Sequence, residues 1–313
     1  MSGAHLPLGG GAEFDAIRAM LEEWGPRALG VGDDAALLTV PAGERLVAST
    51  DATMEGVHFR RGWMSAAEIG ERAAAAALSD LAAMAATPLG ILLALAVPES
   101  WQGELSELAR GVGVAAATAR CPIVGGNLTR AGELSLTITV LGSAVSPLGR
   151  AGARAGDRLF VTGYLGGPGA ALRALLAGRR PAPADRARFV APVPRLDEAR
   201  WLAAHGARAA IDVSDGLLAD AAHLARASGV TLAIDLTAVP CMDGVLPEEA
   251  AASGEEYELL VAAPSGSSLD PAAFARSFGL PLSEIGRALE PASEPVQLRG
   301  GEAGRDHGHD HLR

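Results

Sequence analysis

Four short acidic turns carry the residues best equipped for chemistry: Gly32-Asp33-Asp34-Ala35, Ser49-Thr50-Asp51, Leu78-Ser79-Asp80 and Ile211-Asp212-Val213-Ser214-Asp215-Gly216. Oxygen-only donor sets of this kind suit a hard divalent cation. In the last turn, Ala210 to Val213 reads as a buried strand, so Asp212 and Ser214 share a face while Asp215-Gly216 turns the chain into a helix. Three oxygens then gather at one strand end. A helix N-cap supplied by Ser214 or Asp215 explains one such turn, but four exceed what capping requires. Gly125-Gly126-Asn127 follows a strand and is either a close backbone approach to a ligand or a turn. The loop Gly163 to Gly169 lies between strand and helix, where amides can meet phosphate; its spacing misses the dinucleotide fingerprint, and it reads first as a tight turn without ligand. His58 follows Asp51 by seven residues and either reaches the same pocket or decorates the surface.

The surrounding chain bounds what these residues can do. Its 313 residues suggest two domains, and a net charge of −11 argues against a nucleic-acid surface or an anionic membrane as partner. Anionic small molecules would need metal ions. All 26 basic residues are arginine. Without lysine, a P-loop, a protein-kinase strand lysine and Schiff-base chemistry are all excluded in their usual form. Beyond that, the arginine- and alanine-rich usage suggests only a GC-rich genome. Cys121 and Cys241 are far apart, lack a partner motif and read as reduced core thiols of a cytoplasmic protein. No signal-peptide pattern opens the chain. The most apolar stretch, Leu81 to Val97, holds Pro88 and Gly90 and falls short of a membrane span of ~20 residues.

The elements that must position the turns follow from periodicity. Glu13 to Trp24 predicts a helix stopped by Gly25-Pro26. Ala35 to Val40 and Arg45 to Asp51 predict two strands able to pair as a hairpin. Ser65 to Ala86, with Glu68 three residues after Ser65, predicts a capped core helix. Strand Leu89 to Val97, helix Trp101 to Ala119, short strand Ile123-Val124 and strand Leu134 to Gly142 complete a first domain, 1–145. A linker, Ser146 to Gly156, leads into a second, 146–313. There the expected elements are strand Arg158 to Thr162, helix Ala170 to Ala177, an arginine-rich loop 178–195, and helix Leu196 to His205. Helix Leu217 to Ala227, strands Thr231 to Leu236 and Glu258 to Ala262, helix Pro271 to Phe278 and a strand near Ile285 follow. No internal repeat is evident. The fold class is α/β, of α+β character.

Taken together, Gly32-Asp33-Asp34-Ala35-Ala36, Ser49-Thr50-Asp51 with Glu55-Gly56-Val57-His58-Phe59, Leu78-Ser79-Asp80-Leu81, Ile211 to Leu217 and Ser253-Gly254-Glu255-Glu256-Tyr257-Glu258-Leu259 resemble the thiamine-monophosphate kinase family. That family lies within the ATP-binding superfamily of aminoimidazole ribonucleotide synthetase, and the resemblance runs from about Glu13 to Leu312. It implies a two-domain fold of that superfamily whose first domain forms a homodimer, with ATP as phosphoryl donor, several Mg²⁺ ions and thiamine monophosphate as acceptor. By motif match, Asp34, Ser49, Thr50, Asp51, Asp80, Asn127, Asp212 and Asp215 would be metal ligands. Gly126, Asn127, Arg150 and Ser214 would touch ATP; His58, Glu255 and Leu312 would face thiamine phosphate.

This chain departs from the family pattern at several positions. Asn127 replaces the Asp of Gly-Gly-Asp, a neutral oxygen for a charged ligand. Ala77 replaces the Asn of Asn-Leu-Ser-Asp, Ser253-Gly254-Glu255-Glu256 stands for Gly-Gly-Glu-Asp, and Leu312 ends the tail where an aromatic residue would stack on substrate. Two other readings use the same residues: a superfamily synthetase activating a carbonyl or amide oxygen, or a degenerate nucleotide-binding paralogue. The tail Asp306-His307-Gly308-His309-Asp310-His311 is read as a substrate-site strand, with a Zn²⁺ or Ni²⁺ site as the alternative.

Overall fold

The computed structural model describes residue 5 and residues 7–301. Leu312 and the histidine-rich tail lie outside the described residues. The chain forms two compact units, one made of the chain up to Leu81 with Ala86–Ser146, the other of Ala82–Ala85 with the chain from Pro147.

The first unit runs α1 (Ala12–Trp24), β1 (Arg45–Met54), α2 (Ala66–Ala83), β2 (Thr87–Val97), α3 (Leu105–Thr118), β3 (Ile123–Arg130) and β4 (Ser135–Ala144). Its sheet has the order β1-β4-β2-β3, with β4 antiparallel to both neighbours and β3 parallel to β2. Alternation sorts the faces: Leu136, Ile138 and Val140 of β4 are buried, whereas Thr137, Thr139 and Leu141 are half-buried on the opposite face. α2 opens with the expected capping box, in which Glu68 Oε2 accepts from Ser65 N at 2.8 Å and Ser65 Oγ accepts from Glu68 N at 3.3 Å. Its alanines Ala73 to Ala77 are all buried. α2 and α3 meet backbone to backbone: a Cβ on Gly70 would lie 2.1 Å from Leu108 O, and one on Gly111 would lie 1.8 Å from Ala67 O.

Two expectations fail here. Residues 35–40 form no strand, so no hairpin exists and β1 pairs with β4 instead, Asp51 opposite Ile138. Gly125 to Arg130 is not a turn but the body of β3, paired with β2 so that Asn127 stands opposite Ala94. Gly126 sits where the backbones of the two strands come close, whereas Gly125 faces only the Leu92 side chain. A Cβ on Gly126 would lie 1.9 Å from Leu93 O.

The second unit runs β5 (Arg158–Thr162), α4 (Gly167–Leu176), α5 (Pro183–Val190), α6 (Leu196–Ala204), β6 (Ala209–Asp212), α7 (Leu217–Ser228), β7 (Thr231–Asp235), α8 (Pro247–Ala251), β8 (Leu259–Ala263), α9 (Pro271–Phe278), β9 (Leu282–Leu289) and β10 (Val296–Arg299). The six strands form one sheet in the order β10-β7-β9-β5-β8-β6. Leu159, Val161, Ile211, Leu217, Leu224 and Leu260 belong to its core, which seats β6 and α7 on either side of the 213–216 turn. The arginine-rich loop contains α5, anchored by buried Phe189 and Val190.

Candidate functional site

In the first unit, β1 and α2 place the acidic turns. Ser49 and Asp51 share one face of β1, and Ser49 Oγ donates to Asp80 Oδ2 at 2.5 Å, fastening the strand to α2. Thr50 points to the other face, where its hydroxyl accepts from Thr139 at 3.0 Å. Asp51 Oδ1 accepts from Ala52 N at 2.9 Å. Asp34 lies exposed in the loop before β1, its amide donating to Asp33 Oδ1 at 2.8 Å. Asn127 is exposed on β3.

His58 sits on a turn pinned from below. Phe59 and Trp101 are buried in an edge-to-face pair 6.4 Å apart, and Trp101 Nε1 donates to Glu55 Oε2 at 2.8 Å. His58 Nδ1 accepts from Met54 N at 3.1 Å. In the neutral ring the proton therefore resides on Nε2, which makes that nitrogen a donor.

In the second unit, Asp212 ends β6 and is buried, and Ser214, Asp215 and Gly216 form the turn into α7. A residue the sequence reading passed over organises this turn. Asp220 Oδ2 accepts from the amides of Ser214, Asp215 and Gly216 at 2.9, 3.0 and 3.2 Å. Burial, then the neighbouring carboxylates of Asp212 and Asp215, push the Asp220 carboxyl up to about 7. The signal available in the sequence was an acid in the first turn of the helix, within capping reach. Because the turn amides are spent on Asp220, Ser214 keeps only its hydroxyl for an incoming group. Glu255 is half-buried on the loop that lies against this turn, with its amide donating to Ser214 O at 2.6 Å. Arg150 is exposed, its carbonyl held by Ser228 Oγ at 2.7 Å.

In the loop Gly163 to Gly169 two backbone amides already meet side chains. Gly166 N donates to Glu256 Oε1 at 2.6 Å and Gly169 N to Ser253 Oγ at 3.0 Å, so a buried acid and a serine occupy the amides. Behind it, fully buried Glu258 receives Arg195 through both oxygens, Arg188 and Thr162. Burial alone would raise this carboxyl, but the two guanidinium groups hold it below its ordinary value.

Residues 32–144 match the AIR synthase related protein N-terminal domain, and residues 154–298 the corresponding C-terminal domain. A thiamine-monophosphate kinase of Synechococcus elongatus is 39% identical over 251 residues, 74% of this chain and 76% of that protein. The chain belongs to the thiamine-monophosphate kinase family. The thiamine-monophosphate kinase of Stenotrophomonas maltophilia K279a is 34% identical, with a TM-score of 0.81 over 91% of this chain and 97% of that one. AaThiL complexed with AMPPCP and TMP is 31% identical, with a TM-score of 0.76 and 95% of each chain covered. Among the described residues of this family member, no three His, Cys, Asp or Glu side chains stand together as a preformed metal cage, and no helix is long and apolar enough to cross a membrane.

Proposed function

We propose that this chain phosphorylates thiamine monophosphate to thiamine diphosphate, using ATP as donor and Mg²⁺ as metal. The observation that carries this reading is the match in sequence and fold to thiamine-monophosphate kinases over most of the chain. The oxygen-only donor chemistry of both units fits Mg²⁺, which is commonly held by one or two carboxylates and completed by substrate phosphate, so a preformed cage is not required. In the first unit Asp34, Ser49, Thr50, Asp51, Asp80 and Asn127 would serve as ligands for Mg²⁺ ions; in the second, Asp212 and Asp215 would. When bound, Mg²⁺ neutralises phosphate charge and stabilises the transferring group.

The chain's own residues then have limited tasks. The acceptor is an anionic phosphate oxygen, a nucleophile without further activation, so no general base is assigned. Positioning two polyanions on a protein of net charge −11 is the principal difficulty. His58, a donor through Nε2, and Glu255 orient thiamine phosphate; Gly126, Arg150 and the Ser214 hydroxyl contact ATP. Direct transfer leaves ADP and thiamine diphosphate. We place the enzyme in the cytoplasm, in keeping with two free cysteines, and propose a homodimer formed by the first unit, whose sheet presents Thr50 and Thr139 on its more open face. Sedimentation at the mass of one protomer would count against the dimer. Incubating purified protein with ATP, Mg²⁺ and thiamine monophosphate should yield thiamine diphosphate by mass spectrometry; ADP without diphosphate would point to another acceptor, and no turnover to a nucleotide-binding paralogue.

A further inference from the structure

The loop Ser253 to Tyr257 is strained and anchored at its middle. Glu255 and Tyr257 adopt φ of 59° and 53°, the left-handed region that side-chain-bearing residues avoid. Their amides donate to Ser214 O at 2.6 Å and Val213 O at 2.9 Å, stitching the loop to the acidic turn. Between them Glu256 turns inward and is only 2% exposed. Its Oε1 accepts from Gly166 N at 2.6 Å and Ser253 Oγ at 2.5 Å, and its backbone carbonyl accepts from Arg188 at 3.4 Å. Its other oxygen, Oε2, is buried without a hydrogen-bond partner, 3.9 Å from Arg188 Nη2.

An acid serving only to cap α4 would have no reason to join three segments around two left-handed residues. We propose that Glu256 is a positioning residue, a buried clamp that fixes the direction of Glu255 and hence the grip on the acceptor phosphate ester. The inference rests on the reading of Glu255 as substrate-facing. Burial pushes its carboxyl up to about 8, so the protonated form predominates at neutral pH. A neutral amide should therefore replace it.

The test compares Glu256→Ala, Glu256→Gln and Ser253→Ala with the wild-type protein. Glu256→Ala should raise the KM for thiamine monophosphate tenfold or more while the KM for ATP and kcat stay within about threefold; Glu256→Gln should restore all three. Ser253→Ala, which removes one of the two donors, should fall between and serves if Glu256→Ala does not fold. Hydrogen exchange read at the amides of Glu255 and Tyr257 should quicken in Glu256→Ala and stay slow in Glu256→Gln. An unchanged KM for thiamine monophosphate in Glu256→Ala, an equal rise in both KM values, or a Gln variant as impaired as Ala overturns the clamp. If the wild-type protein does not phosphorylate thiamine monophosphate, the proposed function fails by itself; exchange then decides the clamp, and unaltered exchange in Glu256→Ala overturns it.

Discussion

At the scale of the residue, the acidic turns divide into carboxylates that meet ligand and carboxylates that hold backbone. Under the proposed function Asp51 and Asp212 belong to the first kind. Asp51→Asn or Asp212→Asn should lower kcat by about 10²-fold or more at saturating ATP, by analogy with removal of one transition-state stabilising group, with the melting temperature unchanged or raised as carboxylate repulsion is relieved. Wild-type turnover in a folded variant would remove that residue from the metal set. Asn127 presents a neutral oxygen, so Asn127→Asp should reduce the Mg²⁺ concentration for half-maximal rate; a Mg²⁺ titration at fixed ATP showing no reduction would place Asn127 outside the shell. Asp220 is of the second kind. Asp220→Ala orphans three partly buried amides and should cost about 1–3 kcal/mol in urea unfolding, whereas Asp220→Asn retains an acceptor oxygen and should cost markedly less. Equal losses would mean that charge, not hydrogen bonding, is what Asp220 supplies.

Elements set how close the backbones come, and here glycine decides. At the crossing of α2 and α3, a methyl on Gly111 would meet the Ala67 carbonyl carbon at 2.7 Å as well as its oxygen. Gly111→Ala should therefore destabilise the fold by at least the ~1–3 kcal/mol typical of overpacking, despite alanine's better helix propensity; a melting temperature equal to wild type would contradict the backbone contact. The same property explains what the sequence hid. β5 and α9 are read from the chain without error because their apolar residues and Pro271 announce them locally. β3 is invisible from Gly125 onward, since glycine and asparagine disfavour strands and only pairing with β2 creates one. Residues 35–40 have the composition of a strand but no partner. α5 was hidden by its arginines, with only Phe189 and Val190 to bury. The strand-to-helix turn that carries Asp212, Ser214 and Asp215 was legible because these residues lie within four positions. Asp220 and Glu256 were not, because Asp220 holds backbone amides and Glu256 a hydroxyl and the amide of Gly166, ninety residues away.

For the molecule as a whole, the buried glutamates bias stability against pH in opposite senses. Glu256 faces Arg188 of α5 and Glu258, which leads into β8, and keeps its proton in the folded state to about 8, against an ordinary value of 4.5. Its contribution is complete below 4.5 and is lost as pH rises through about 8. Glu258 is held below its ordinary value, so its contribution is present above 4.5 and is lost as pH falls below it. Between about pH 6 and about pH 9 the melting temperature should fall more in wild type than in Glu256→Gln, which has no proton to lose; parallel curves would show that Glu256 does not titrate there. The arginine pair on Glu258 also limits how the chain can be rewritten. Arg18, Arg110 and Arg173 each pair with an acid at the surface, a contact a lysine reproduces at small cost. Arg195 spends Nε and Nη2 on the two oxygens of Glu258 and turns Nη1 toward Glu198 at 3.6 Å. A single ammonium cannot span that fork. Lysine handles for labelling or immobilisation can thus be written into the exposed face of this lysine-free chain, while position 195 stays closed to them.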